Sequence, residues 1–344
     1  MIVVIGATSF IGMYTVEELI RRGETVVATG RNERLRPMLE EMGCQFASLD
    51  ITEASDFDVL PKEGVEGVIL LAGLLPANAT ANLSDEENAA DYIAVNTIGT
   101  INVLEYCRKC GVPKIISTTT YGDVAGAWGR GYPITEEEPR NFSFTGDHAM
   151  YTISKNAASD SIEYYHQQHG IQGAVFRFPP VYGVGPHGTI LVDGKPYKSG
   201  IQTFIERAQA GENIEIWGNP HIYRDIIYVK DVARAFCMAL KSDQTHGLYN
   251  MTSGVPLDLE DQARAVIAVF GENKGSSIVY RPEKQNNTPS YLYCMDKAKR
   301  DFGFVPEYTD YQKMMVDYKM ELESGRWANL ERESSATWSV SNEA

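Results

Sequence analysis

The first twelve residues restrict this chain more than any other segment. Ile2-Val-Val-Ile5 is a continuous apolar run that passes directly into Gly6-Ala-Thr-Ser9-Phe-Ile-Gly12. A run without polar alternation is the pattern of a strand buried on both faces, as in a parallel sheet covered by helices. Glycines directly after it permit a tight turn and let the following helix pack close to the strand. That helix is predicted from Ile11 to Arg22, with Ile11, Val16, Leu19 and Ile20 on its apolar side and Gly23 as its stop. Strand, glycine loop and helix in this order aim backbone N–H groups at one point, which suits a pyrophosphate.

The same alternation continues to Phe178. Thr25–Thr29, Gln45–Leu49, Gly67–Ala72, Lys114–Thr118 and Ala174–Phe178 read as strands. Leu35–Met42, Asp91–Cys110 and Met150–Gly170 read as the helices between them. This rhythm predicts an α/β fold: a doubly wound parallel Rossmann sheet with right-handed crossovers. Beyond Phe178 the rhythm breaks into a Pro-, Gly- and aromatic-rich stretch, Pro179–Gly188. A helix at Ile201–Ala210, an apolar strand at Ile226–Val229 and a helix at Val232–Ser242 follow. The expected organisation is a dinucleotide-binding domain at 1–178, rejoined by 224–245. A smaller α/β substrate-binding domain takes 179–223 and 246–325, and 326–344 is a polar, mobile tail without a periodic apolar face.

Composition removes several alternatives. Lys and Arg number 31 against 46 Asp and Glu, a net charge of −15. Such a chain is poorly suited to nucleic acid or anionic membranes, which need clustered cations. No stretch is apolar for long enough to cross a bilayer, because Val68–Leu75 runs into Pro76, Asn78 and Asn82. The N-terminus lacks the basic segment of a secretion signal. The five cysteines are odd in number and scattered, which favours reduced thiols and a cytoplasmic location. Neither Cys107-x-x-Cys110 nor His166 with His169 has the further ligands a metal needs, so no metal is expected.

Two places carry the chemistry. The second strand ends Thr29-Gly30-Arg31-Asn32, where a carboxylate would bind the free ribose hydroxyl of NAD. Arg31 stands there instead and can pair with a 2′-phosphate, which favours NADP slightly; the alternative is a solvated cation near adenine. Asp50-Ile51 closes the third strand near the same place. Tyr151-Thr-Ile-Ser-Lys155 puts a phenol and an ammonium on one helix face, where the ammonium makes the phenol a usable base. Tyr280 with Lys284 and Tyr293 with Lys297 repeat the spacing, but outside long helices. The fifth strand ends Ser117-Thr-Thr-Thr-Tyr121-Gly122, a source of a hydroxyl for the same substrate oxygen.

Together the Gly6 loop, Ser117–Gly122 and Tyr151–Lys155 resemble the extended short-chain dehydrogenase/reductases. The resemblance continues through Arg177-Phe-Pro-Pro180-Val-Tyr-Gly183, Arg224-Asp225 to Asp231, and Arg281-Pro282, over roughly Met1 to Met320. Within that family it is nearest to the nucleotide-sugar epimerases and dehydratases. It implies Thr118, Tyr151 and Lys155 as the catalytic set, with Ser117 the alternative to Thr118. It implies a nicotinamide dinucleotide, NAD(P), against Gly6, Thr8, Ser9, Phe10, Ile11, Gly12, Arg31, Asp50, Ile51, Ala72, Gly73, Asn96, Tyr151, Lys155, Pro179 and Val181. Asn96 matches an Asn that helps order the active site. Ser117, Thr119, Pro180, Arg224 and Arg281 fall on the substrate side, the two arginines toward a diphosphate, although Arg224 has Asp225 as an alternative partner.

Three departures from the family matter. Ser9 replaces the middle glycine of the loop. Pro180 replaces an Asn that contacts the substrate. Thr119 and Thr120 stand where the dehydratases carry carboxyls for water elimination, so a dehydratase is not expected. The resulting expectation is an NAD(P)-dependent nucleotide-sugar epimerase, acting by transient hydride transfer through a keto intermediate. An NADPH-dependent ketoreductase is the runner-up, and a non-catalytic dinucleotide-sensing regulator is the reading of another class. By the same resemblance, the helices Asp91–Cys110 and Met150–Gly170 would form a homodimer interface.

Overall fold

A computed structural model describes residues 1–76, 89–146, 148–185, 189–192, 195–286, 288–328 and 330. The first part of the chain runs β1 (Ile2–Ile5), α1 (Phe10–Arg21), β2 (Val26–Gly30), α2 (Arg36–Glu41), β3 (Gln45–Ser48) and β4 (Gly67–Leu70). A long helix follows in three joined pieces: α3 (Ala89–Tyr92), a π-helical segment (Ile93–Ile98) and α4 (Gly99–Cys110). Then come β5 (Lys114–Thr120), α5 (Ala149–His169), β6 (Gln172–Phe178), β7 (Val181–Tyr182), β8 (Thr189–Val192), β9 (Lys195–Lys198) and α6 (Gly200–Ala210). The remainder is β10 (Ile214–Trp217), β11 (Tyr223–Arg224), β12 (Ile227–Tyr228), α7 (Val229–Lys241), β13 (Gly247–Asn250), β14 (Leu257–Asp258), α8 (Leu259–Phe270), β15 (Ile278–Arg281), α9 (Asp296–Phe302) and α10 (Tyr311–Ser324).

The central sheet has seven parallel strands in the order β13-β6-β5-β4-β1-β2-β3. Strand alternation divides its side chains between two apolar clusters. Val4, Ile69, Ile116 and Phe176 pack with Met13 and Val16 of α1 and with Val232 and Phe236 of α7. Their neighbours Val3, Val68, Ile115 and Val175 pack with Val103 and Leu104 of α4 and Ile162 of α5. Helices on both faces explain why β1 carries no polar residue: all four of its positions are buried. The sheet is the doubly wound Rossmann sheet that the alternation predicts.

Several boundaries differ from the sequence reading. The seventh strand of the sheet is Gly247–Asn250, from the stretch assigned to the substrate domain. Ile226–Val229 does not form a single strand: β12 pairs with β7 in a separate two-stranded sheet, and α7 starts already at Val229. β5 runs two residues farther than expected, with Thr119 and Thr120 paired to Arg177 and Phe178. The tail begins ordered. Trp327 and Leu330 are buried, and the Trp327 ring lies 4.4 Å from that of Tyr14 on α1. Two aromatic and aliphatic anchors suffice to dock a segment without periodicity. Residues 331–344, and 77–88 with Asn78 and Asn82, lie outside the described residues.

Candidate active site

The site is built at the carboxyl edge of the sheet, starting from the glycine loop. Gly6 has φ +88°, and a Cβ on it would lie 2.4 Å from the Ala72 nitrogen. Leu71 and Ala72 both donate to the Ile5 carbonyl, so the exits of β1 and β4 are bonded together. A Cβ on Gly12 would lie 2.3 Å from the Gly6 carbonyl oxygen, so α1 packs directly on the loop. Ser9, at the position of the missing glycine, caps α1: its Oγ accepts from the Gly12 N–H at 3.1 Å. Its own O–H is left to donate toward an anion. These features fit a dinucleotide diphosphate, because the close strand–helix packing and the helix N-terminus stand where the sheet opens.

Arg31 follows β2, its side chain 72% exposed and 3.4 Å from Asp50 Oδ2. Asp50 Oδ1 accepts from the Thr52 amide and hydroxyl. The Ile51 carbonyl is held by the Asn102 amide, and the Ile51 side chain is buried. The weak, open contact of Arg31 leaves its guanidinium accessible.

Of the expected catalytic residues, Lys155 meets Thr118 directly. Its Nζ is 3.3 Å from Thr118 Oγ1. Thr118 is the single residue of β5 that is not buried, while Ser117 and Thr119 alternate to the opposite face. Ser117 is therefore not the hydroxyl that Lys155 meets. Thr119 also departs from its expected substrate role, since its side chain is buried and its Oγ1 has no partner among the described residues. Tyr151 sits one turn before Lys155 on α5, and its ring centroid is 6.2 Å from that of Tyr92. Burial raises the Tyr151 pKa, and the nearby phenols of Tyr121 and Tyr92 add to this. Burial pushes the Lys155 ammonium down to about 8. An opposite charge would be welcome to both groups.

Asn96 lies in the π-helical segment and is almost wholly buried. Its Nδ2 donates to the Leu74 carbonyl and to Ser154 Oγ, and its Oδ1 accepts from the Leu74 amide. Both amide hydrogens are therefore spent inside the protein. Asn96 joins the β4 exit to α5 and orders the site, but it does not offer those hydrogens to a cofactor as the sequence reading allowed. Pro179, Pro180 and Val181 leave β6 at the same edge, and the Pro180 carbonyl accepts from the Ile227 amide.

Of the residues expected on the substrate side, Arg224 does not pair with its neighbour Asp225. Its Nη2 donates to Thr288 Oγ1 at 2.7 Å, and its buried Nε has no partner among the described residues. Asp225, raised to about 6 chiefly by burial, accepts from the Tyr293 amide and Ser253 Oγ instead. Arg281 is 3.2 Å from Glu215, which also accepts from Lys284 and Trp217. Lys284, the Trp217 indole N–H and Arg281, in that order, push the Glu215 carboxyl down to about 2. The sequence reading missed two features here. Thr120, on the Thr118 face, is the true last hydroxyl of β5 and accepts from the Gly122 amide. Trp217, 48% exposed, pairs in register with Arg281. The longer strand hides Thr120, and an exposed Trp one strand from an Arg has no sequence spacing to reveal it.

A glycine loop at the first crossover and a Tyr-x-x-x-Lys helix beside the fifth strand define a nicotinamide-dependent enzyme of the extended short-chain dehydrogenase/reductase type. Residues 2–252 match the NAD dependent epimerase/dehydratase family, and the chain belongs to it. A Methanocaldococcus jannaschii protein provisionally named a UDP-glucose 4-epimerase is 30% identical over 312 residues, covering 89% of this chain and 93% of that protein. A dTDP-4-dehydro-6-deoxy-D-allose reductase from a Streptomyces species is 25% identical, covering 96% of this chain and 97% of that one. The UDP-glucose 4-epimerase of Thermotoga maritima, solved with UDP-glucose, superimposes with a TM-score of 0.73 at 24% identity. That match covers 93% of this chain and 99% of the other. Among the described residues, no helix is long and apolar enough to cross a membrane.

Proposed function

We propose that this enzyme is a nucleotide-sugar epimerase that inverts one hydroxyl-bearing carbon of the sugar. The observation carrying this reading is the Thr118–Lys155 contact, one helical turn from Tyr151, at a β5 exit that carries hydroxyls and a phenol rather than carboxyls. When bound, the nicotinamide supplies the acceptor and then the donor of a hydride. Tyr151 takes the proton from the sugar hydroxyl and later returns it to the same oxygen. The Lys155 ammonium favours the phenolate. Because Thr118 Oγ1 accepts from Lys155, its own hydrogen is directed to the sugar oxygen. Arg224, with an unspent Nε, and Arg281 stand on the diphosphate side, and Trp217 beside Arg281 offers a face on which a base can stack.

The dinucleotide preferred is NADP, supported by Arg31 and by the lack of a carboxylate at the end of β2. The molecule is a homodimer through α4 and α5, supported by exposed Ile98 beside the start of α4 and exposed Tyr164 on α5. A cytoplasmic location fits its five free cysteines.

The test is incubation with UDP- and dTDP-hexoses, with products separated by chromatography and absorbance followed at 340 nm. An epimerase yields the epimer with no net absorbance change. Pro180 favours one further reading, since it offers no side-chain donor to the sugar. A reductase would consume absorbance in step with product, and that result replaces the epimerase reading.

A further inference from the structure

We propose that Tyr121 is a substrate-contacting specificity residue, whose phenol donates a hydrogen bond to a sugar ring hydroxyl between the carbon served by Tyr151 and the phosphate held by Arg224. This rests on the sugar-nucleotide reading above.

Position comes first. Pairing of β5 with β6 continues to Thr120 and Phe178, so Tyr121 is the first residue past the carboxyl edge of the sheet. In open α/β sheets this edge is where ligands bind. Tyr121 stands three residues beyond Thr118, whose hydroxyl meets Lys155.

The residue is also held still. Its carbonyl accepts from the Tyr293 hydroxyl at 2.9 Å, and that hydroxyl accepts from Trp128 Nε1 at 2.9 Å. Trp128 stacks on the Tyr121 ring at 5.4 Å and 23°. Tyr291 closes another side at 5.7 Å. The residue as a whole remains only partly buried, although two rings pack against its own. A donor fixed before binding loses little freedom when it engages a ligand.

Its neighbours set its role. Burial raises the Tyr121 pKa, while Arg224 and the Tyr291 hydroxyl oppose the rise. The net rise keeps Tyr121 a neutral phenol, which has an O–H to donate. An ionised Tyr121 would hold Tyr151 in its phenol form, so Tyr121 must stay neutral for Tyr151 to act as a base. Tyr121 is thus within electrostatic reach of both the base and the arginine. A sugar reaching from one to the other passes it.

The test compares wild type with Tyr121→Phe, which keeps the ring stack, as holoenzymes on a UDP-hexose the wild type turns over. Sugar-nucleotide KM is expected to rise about 10-fold, the worth of one hydrogen bond. Changes in kcat are expected to stay within about 2-fold, since no reacting proton is lost. Dinucleotide affinity, read by fluorescence titration, stays at the wild-type value and shows that the variant is folded. A panel of 2-, 3- and 6-deoxy sugar nucleotides then locates the contact, because for one member the two enzymes become equal. Equal KM on the full substrate, or an undiminished difference on every deoxy analogue, overturns the inference while the sugar-nucleotide reading stands. A wild type that turns over no sugar nucleotide overturns both.

Discussion

Lys155 Nζ lies 3.3 Å from Thr118 Oγ1, and this contact selects one hydroxyl from a run of four. An ammonium that donates to a hydroxyl oxygen orients that hydroxyl as a donor in turn. Thr118→Val is expected to lower kcat by about 100-fold with sugar-nucleotide KM near wild type, within the range for a positioned proton-handling group. Ser117→Ala, on the opposite strand face, should stay within about 2-fold, given that surroundings rather than chemistry change there. Steady-state kinetics of both variants decide it. A larger loss for Ser117→Ala would move the catalytic hydroxyl to that residue.

Lys155 also makes stability depend on pH. Burial lowers its pKa from 10.5 to about 8 in the folded protein. Between these values the unfolded chain holds more protons than the native one, so stability rises with pH across that window. The burial penalty is fully present below about 8 and is relieved above it. Relative to Lys155→Met, wild type is expected to gain up to about 3 kcal/mol between pH 7.5 and 10.5, the window set by the folded and unfolded values. Urea unfolding of both proteins along that pH series measures it. Parallel curves would show that Lys155 is not desolvated.

Among the described residues, Arg31 makes one exposed ion-pair contact, 3.4 Å to Asp50, worth at most about 1 kcal/mol to stability. Its removal should therefore be silent in folding and visible in cofactor choice. Arg31→Ala is expected to weaken NADP binding by about 10-fold or more, the loss of a charge-assisted pair, while leaving NAD affinity unchanged. Titration of the free enzyme with each dinucleotide reads both values. Equal losses for the two would assign Arg31 to adenine rather than to a 2′-phosphate.

The sheet was legible because its strands are buried on both faces, and burial of that kind leaves unbroken apolar runs such as Ile2–Ile5. The Tyr151–Lys155 pair was legible because helix geometry alone puts i and i+4 together. What escaped depends on contacts distant in sequence. Gly247–Asn250 carries no signal of its own for joining the sheet; it does so through β6. The end of β5 is set by pairing with Arg177 and Phe178, so the strand claims Thr119 and Thr120 that local pattern assigns to a turn. Trp327 docks because Tyr14, far away in sequence, offers it a ring. Arg224 Nε has no partner among the described residues because the neighbouring Asp225 bonds to the Tyr293 amide, a contact 68 residues away in sequence.

Arg177 and Asp123 form a buried ion pair at 2.8 Å, with both side chains almost fully removed from solvent. Arg177 also donates to Asn250 Oδ1, so the pair ties β6 and β13 to the turn that carries Tyr121. It is imperfectly solvated: Asp123 Oδ1 and Arg177 Nε lack partners among the described residues. Burial accordingly raises the Asp123 pKa, and Arg177 opposes it. Such a pair gives little net stability, but breaking it strands a charge. Asp123→Leu alone is expected to cost about 3–5 kcal/mol in urea unfolding, because Arg177 is left buried and unpaired. Adding Arg177→Met should recover most of that loss, since an apolar pair of similar bulk avoids both desolvation costs. The recovered double variant separates stability from positioning. If the pair holds the Tyr121 turn in place, sugar-nucleotide KM stays raised in a protein that is again stable. Wild-type KM in the double variant would reduce the pair to a structural one.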